Sequence, residues 1–233
     1  MVDLIRGLRA VAVRENLERV RAEISAAGRD PDEVEILAAV KYVPVEELGV
    51  LAEAGIELVG ENRAQDLVAK VDAHRGVFTW DFIGHLQSRK VRQVLPYVRY
   101  IHSVASDSAL EQLARHASAA AEIEGGDKRE VEVLVEVNVG GEPGKSGILS
   151  AELPSLLERC PVKVVGLMTM PPPASNPESS RPCFAALREL AERHGLRQLS
   201  MGTSQDYVVA VQEGATIVRL GRGLYAPPGS ATS

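Results

Sequence analysis

The hydrophobic pattern along this chain changes period repeatedly. Near its start, Leu4, Leu8, Val11, Val13, Leu17, Val20 and Ile24 recur mostly every three or four residues among Arg and Glu. That spacing predicts an amphipathic helix over about residues 3–27, stopped by Gly28. Residues 34–41 then form a short apolar run broken only by Glu35 and flanked by Pro31 and Pro44, as a strand buried on both faces of a parallel sheet would read. Beyond it, helical and extended periods alternate. Helices are predicted at 45–54, 62–74, 88–95, 107–123, 151–157, 183–194 and 207–213, and strands at 58–60, 79–84, 100–103, 131–139, 164–168, 198–201 and 216–220. A Gly-Gly pair at 125–126 reads as a loop, and 171–182, rich in Pro and Ser, as a mobile surface loop.

Eight strands, each followed by a helix or helical turn, imply right-handed crossovers and a parallel sheet. Eight such units in 233 residues favour an α/β fold of the closed (β/α)₈ TIM-barrel type over an open doubly wound sheet. The expectation is one domain over 1–233, with the barrel at about 34–226 and the N-terminal helix packed on it as an extra element. A hydrophobic content of 45% and a mean hydropathy of -0.03 suit a globular core of this size. The net charge of -6 provides no basic field for nucleic acid or an anionic membrane. Neither a signal peptide nor an apolar run long enough to span a bilayer is evident, so a cytoplasmic protein is expected. Cys160 and Cys183 lack metal-site or redox spacing, and the five histidines form no zinc pair.

Active sites of such barrels lie at the C-terminal ends of the strands. Lys41 closes the first strand there. It either snorkels into water or serves as an amine, desolvated at the strand end, that condenses with an aldehyde. Two turns look built for phosphate. Met201-Gly202-Thr203-Ser204 follows strand seven and leads into a helix, and Leu220-Gly221-Arg222-Gly223 follows strand eight, the usual phosphate region of this barrel. Arg219 points inward if the alternation holds, where it would meet a ring nitrogen, a carboxylate or a structural partner. No paired carboxylates or acidic metal cluster accompany them.

A strand-end lysine with a phosphate cradle describes a holder of pyridoxal 5'-phosphate. The motifs LAAVKY at 37–42, GEN at 60–62 with Gln65, WDFIGHLQSRK at 80–90, EVNVGGEPGKSGI at 136–148, GLMTM at 166–170, LSMGTSQDY at 199–207 and VRLGRGLY at 218–225 sharpen this. On them the chain, from about residue 8 to 226, resembles the pyridoxal phosphate homeostasis protein family, relatives of the N-terminal barrel of alanine racemase. The resemblance implies that Lys41 is the Schiff-base lysine, that Asn62 lies beside the cofactor ring, and that Ser204 with Gly221 takes the phosphate. It implies that Arg219 faces the pyridine nitrogen and keeps it unprotonated, a poor electron sink. Ser200 and Met201 would line the pocket wall, and Lys145 would sit at its mouth. Three positions depart from the family's usual pattern: Asp81 replaces His, Tyr42 replaces Thr, and Arg222 replaces a phosphate-binding Thr. Arg222 either holds phosphate by charge and paired hydrogen bonds or points outward.

The implied function is cofactor carriage and vitamin B6 and amino-acid homeostasis without robust catalysis. Alanine racemase needs a tyrosine base from a second domain, for which this chain, ending at Ser233, leaves no room. A pyridoxal phosphate-dependent racemase or lyase is the alternative, and a phosphosugar barrel enzyme with a merely exposed Lys41 a third. Expected partners are the cofactor and apoenzymes that use it, with the chain a monomer or weak dimer.

Overall fold

A computed structural model describes residues 4–120 and 130–226. Eight parallel strands pair in chain order and close into a barrel: β1 (Glu35–Ala39), β2 (Leu58–Glu61), β3 (Thr79–Phe82), β4 (Tyr100–Val104), β5 (Glu132–Glu136), β6 (Lys163–Met168), β7 (Gln198–Thr203) and β8 (Ile217–Leu220). The expected (β/α)₈ barrel is the fold. Closure sets Leu37 of β1 beside Arg219 of β8, and Ala38 beside Leu220. Because successive side chains on a strand point to opposite faces, closure sorts every residue into inside or outside. Ala38, Val59, Val133, Leu199 and Val218 face outward into the main core beneath the helices. Leu37, Leu134 and Ile217, also buried, fill the barrel itself.

The outer ring comprises α1 (Ala10–Ala26), α2 (Leu48–Glu53), α3 (Ala64–Ala73), α4 (Val91–Val94), α5 (Asp107–Ala120), α6 (Leu153–Arg159), α7 (Arg181–Arg193), α8 (Tyr207–Gln212) and the single turn α9 (Arg222–Tyr225). The α9 turn is too short to cover β8, and α1 takes that place, packing against α2, α8 and α9. Its buried face is Val13, Asn16, Val20 and Ile24; of the apolar positions the sequence marks, Val11 is exposed, and the polar Asn16 takes a place on the face. Asn16 Nδ2 donates to Leu224 O (3.1 Å) and Ala226 O (2.9 Å), fastening the first helix to the last. The helix begins at Ala10 and not near residue 3. The backbone N–H groups of the preceding segment are claimed from across the barrel mouth: Ile5 N donates to Tyr42 O (2.8 Å), and Gly7 N and Leu8 N donate to the Glu47 carboxylate (2.8 and 3.0 Å).

Other boundaries move for similar reasons. The strand predicted at 34–41 stops at Ala39, since Val40 O accepts from Lys70 Nζ (2.6 Å) rather than from a strand. The strand predicted to reach 139 ends at Glu136, because the Asn138 side chain turns the chain by bonding both N and O of Glu142. Helix α7 starts at Arg181, with Pro182 in its first turn, where a missing N–H costs nothing, so the loop from 171 is shorter than expected. The predicted helix 107–123 is α5, and residues 121–123 and the 125–126 loop lie outside the described residues.

Strands β6 and β7 approach closely at Gly166, where an added Cβ would lie 2.0 Å from Gln198 O. Gly166→Ala is therefore expected to lose about 1–3 kcal/mol of stability in urea unfolding, as overpacked sites do. An unchanged midpoint would show that the two strands yield freely.

Candidate functional site

The C-terminal end of the barrel opens into a cavity of about 850 Å³, within the range of small-molecule sites. Lys41, Asn62, Ser204, Arg219, Gly221 and Arg222 all line it. Lys41 is exposed at the mouth, its Nζ 4.8 Å from the Tyr42 ring centroid. On the same ring lies the exposed Arg222 guanidinium, 5.7 Å from the centroid. Two of the family departures thus touch each other, an aromatic face meeting a cation.

Beneath Lys41, a buried ion pair fixes the loop. Lys70 Nζ, on α3, donates to Val40 O at 2.6 Å and to Glu61 Oε2 at 2.5 Å, and Glu61 is fully buried. The other carboxylate oxygen, Glu61 Oε1, accepts from Asn62 N (2.6 Å) and Arg63 N (3.1 Å). One carboxylate therefore holds the backbone on both sides of the cavity's first wall. Asn62 projects from this anchor into the cavity, and its Oδ1 is buried without a hydrogen-bond partner.

The two turns after β7 and β8 are knitted by Ser204, whose Oγ accepts from Gly221 N (3.2 Å) and Gly223 N (3.3 Å). Asp206 shapes the first turn by accepting from Thr203 N (2.7 Å) and Thr203 Oγ1 (3.0 Å). Gly202 there has φ +91°, and an added Cβ would meet Ala210 Cβ at 2.6 Å, so only glycine fits. Because α8 and α9 have six and four residues, directed N–H and O–H groups, and not a long helix dipole, would hold an anion here.

Arg219 points into the barrel, as the alternation predicts. Its Nη1 donates to Ser200 O and Ser200 Oγ, both at 2.6 Å, and its Nη2 to Thr169 O (3.0 Å) and Met170 Sδ (2.8 Å). Nε–H has no partner among the described residues. Burial pushes the guanidinium down to about 10, which still leaves a cation at neutral pH. Behind it, Ser200 Oγ meets His102 Nδ1 (2.8 Å) and His102 Nε2 meets Asp81 Oδ2 (3.0 Å). Asp81 in turn binds Arg99, which reaches Glu35. Burial pushes His102 below its ordinary value, more than Asp81 raises it, so the ring is neutral. Burial acts to raise the Asp81 carboxyl, but His102 and Arg99 outweigh it and hold it below the usual range.

Two predicted site residues do not reach the cavity. Met201 follows the inward Ser200, so alternation sends its side chain outward into the core under the helices. Ser200 lies deeper, beneath Arg219, and does not form wall. Of the two readings of Lys41, the structure shows the solvent-facing one, because the strand stops two residues earlier and Lys41 stands exposed. Lys145 pairs with Glu142 (2.8 Å) and is not in the lining. Sequence reading missed Glu136, buried and lining the cavity, with Ser146 Oγ donating to it at 2.7 Å. A strand drawn to 139 had moved the rim to Asn138.

Residues 9–227 match the family described as "Alanine racemase, N-terminal domain". A pyridoxal phosphate homeostasis protein of Aquifex aeolicus is 39% identical over 90% of this chain and 93% of its own length. One from Pseudomonas aeruginosa is 34% identical over 91% and 94%. This chain belongs to the alanine racemase N-terminal domain family, among the pyridoxal phosphate homeostasis proteins. PipY of Synechococcus elongatus, solved with PLP bound, superposes with TM-score 0.76 at 30% identity, over 92% of this chain and all of that one (100%). Alanine racemase of Corynebacterium glutamicum shares the fold at TM-score 0.64 and 14% identity. Within this family the site described above occupies the strand-end face of the barrel.

Lys70→Met should destabilise the protein by roughly 3–5 kcal/mol, because Glu61 would be left buried and uncompensated. The double variant Glu61→Gln with Lys70→Met should recover much of that loss in denaturant titration; simple additivity of the two changes would refute the coupling. The neutral His102 also makes stability pH-dependent. The unfolded state binds the proton first, so stability is complete above 6.5 and falls as pH drops below it, by about 1.4 kcal/mol per pH unit. Unfolding midpoints of His102→Gln should lack this acid slope as the pH falls just below 6.5.

Proposed function

We propose that this protein binds pyridoxal 5'-phosphate in the cavity through a Schiff base to Lys41, and carries and buffers it instead of using it for catalysis. The observation that carries the reading is one cavity holding an amine with no hydrogen-bond partner among the described residues, an inward arginine and a serine-glycine cradle. The residues fit the group on independent grounds. The orphaned Asn62 Oδ1 and the uncommitted Arg219 N–H are polar atoms turned toward space that a ring with polar substituents would fill. The names of the Aquifex and Pseudomonas relatives and the PLP-bound PipY support it.

In this reading Lys41 would be the residue that holds the cofactor covalently, its amine being the one at the cavity able to condense with an aldehyde with release of one water. The Ser204 hydroxyl, held in place by Gly221 N and Gly223 N, would donate to the phosphate, and Arg222 would add charge from the rim. Asn62 would stand beside the ring, and Arg219, a cation, would face the ring nitrogen and disfavour its protonation. The bound cofactor would supply an electron sink, weakened by that unprotonated ring. The exposure of Lys41 favours reversible loading, and transfer to apoenzymes, over chemistry that requires water to be excluded.

Protein mixed with the cofactor should turn yellow, and Lys41→Ala should stay colourless; colour that survives the substitution excludes the Schiff base. A panel of amino acids should show no steady turnover. Sustained conversion of any of them would move the reading to a racemase or lyase.

A further inference from the structure

A guanidinium has five N–H hydrogens, and four of Arg219's are committed: two to Ser200, one to Thr169 O and one to Met170 Sδ. What holds the bond to the Ser200 hydroxyl is the direction of the hydrogens behind it. Ser200 Oγ accepts from Arg219 at 2.6 Å, so its own hydrogen needs another acceptor, and His102 Nδ1 stands 2.8 Å away. Nδ1 accepts only when the imidazole proton sits on Nε2. Nε2 faces Asp81 Oδ2 at 3.0 Å, a carboxylate that can only accept. Asp81 is immobilised from its far side by Arg99 Nε (3.1 Å) and Nη2 (2.8 Å) and by Tyr100 N (3.1 Å). Asp81, His102 and Ser200 are wholly buried and Arg219 is 6% exposed, so water offers no alternative partner. Hydrogens therefore run one way, from Arg219 through Ser200 and His102 to Asp81.

We propose that Asp81 and His102 are positioning residues for Arg219: by fixing the Ser200 hydroxyl as its acceptor, they aim the one uncommitted N–H of Arg219 into the cavity at the ring nitrogen of the cofactor. The inference rests on the cofactor reading above and deepens it. It also gives a role to Asp81, the position where the family usually has His. An Asn at 81 would keep the shape with its oxygen in the Oδ1 place, held by Arg99 Nε and Tyr100 N, and its N–H₂ would face Nε2 at the cost of the Arg99 Nη2 bond. The imidazole proton would move to Nδ1, and the Ser200 hydrogen would lose its acceptor and turn toward Arg219.

The test compares wild-type protein and Asp81→Asn in their affinity for pyridoxal 5'-phosphate and for its deaza analogue, in which carbon replaces the ring nitrogen. Wild type should prefer the natural ring by about tenfold, the size of one hydrogen bond from a charged donor. Asp81→Asn should lose that preference while binding the deaza analogue unchanged. Equal weakening toward both ligands would make Asp81 merely structural and overturn the proposal. Equal wild-type affinity for both would overturn it too, leaving the cofactor reading intact, whereas binding of neither would end both. Nitrogen NMR of unliganded wild type gives a check that needs no variant: His102 should carry its proton on Nε2, and a proton on Nδ1 would refute the arrangement.

Discussion

A line of charged and polar groups runs up the inside of this barrel, from Glu35 and Arg99 through Asp81, His102 and Ser200 to Arg219. Barrels of this type are usually filled with branched apolar side chains, and burying charge costs several kcal/mol per ion unless every group is bonded. Here Arg99, Asp81, His102 and Ser200 each have partners on both sides, so removing one strands the next. The constraint travels upward. It determines where Arg219 can sit, and with it the floor of the cavity. It also explains why Leu37, Leu134 and Ile217 form only part of the barrel filling, while most of the apolar area lies between strands and helices.

The alternating periods made the eight units legible, because strands buried on both faces and amphipathic helices leave strong, short-range signals. Lys41, Asn62, Ser204, Arg219, Gly221 and Arg222 were legible for the same reason, since each falls at or just beyond a strand end. What local pattern could not convey was where a strand yields to a turn. That was decided by distant groups, Lys70 at Val40 O and the Asn138 side chain at Glu142. Those shifts exposed Lys41 and brought Glu136 to the rim. Met201 was misplaced through neglect of a strict rule, that neighbours on a strand face opposite ways.

The three departures from the family pattern also become intelligible together. Asp81 is bonded to both Arg99 and His102, and Tyr42 and Arg222 lie against each other at the mouth. Asp81, Tyr42 and Arg222 thus each meet a charged or aromatic partner.

Asn16 and Arg19 hold carbonyls at 223, 224 and 226, contacts between groups more than two hundred positions apart in sequence. They fasten α1, which covers β8, to the turn that follows that strand. The anion cradle between Ser204, Gly221 and Gly223 is consequently braced from the other end of the described chain, and loosening α1 would loosen the phosphate side of the cavity as well.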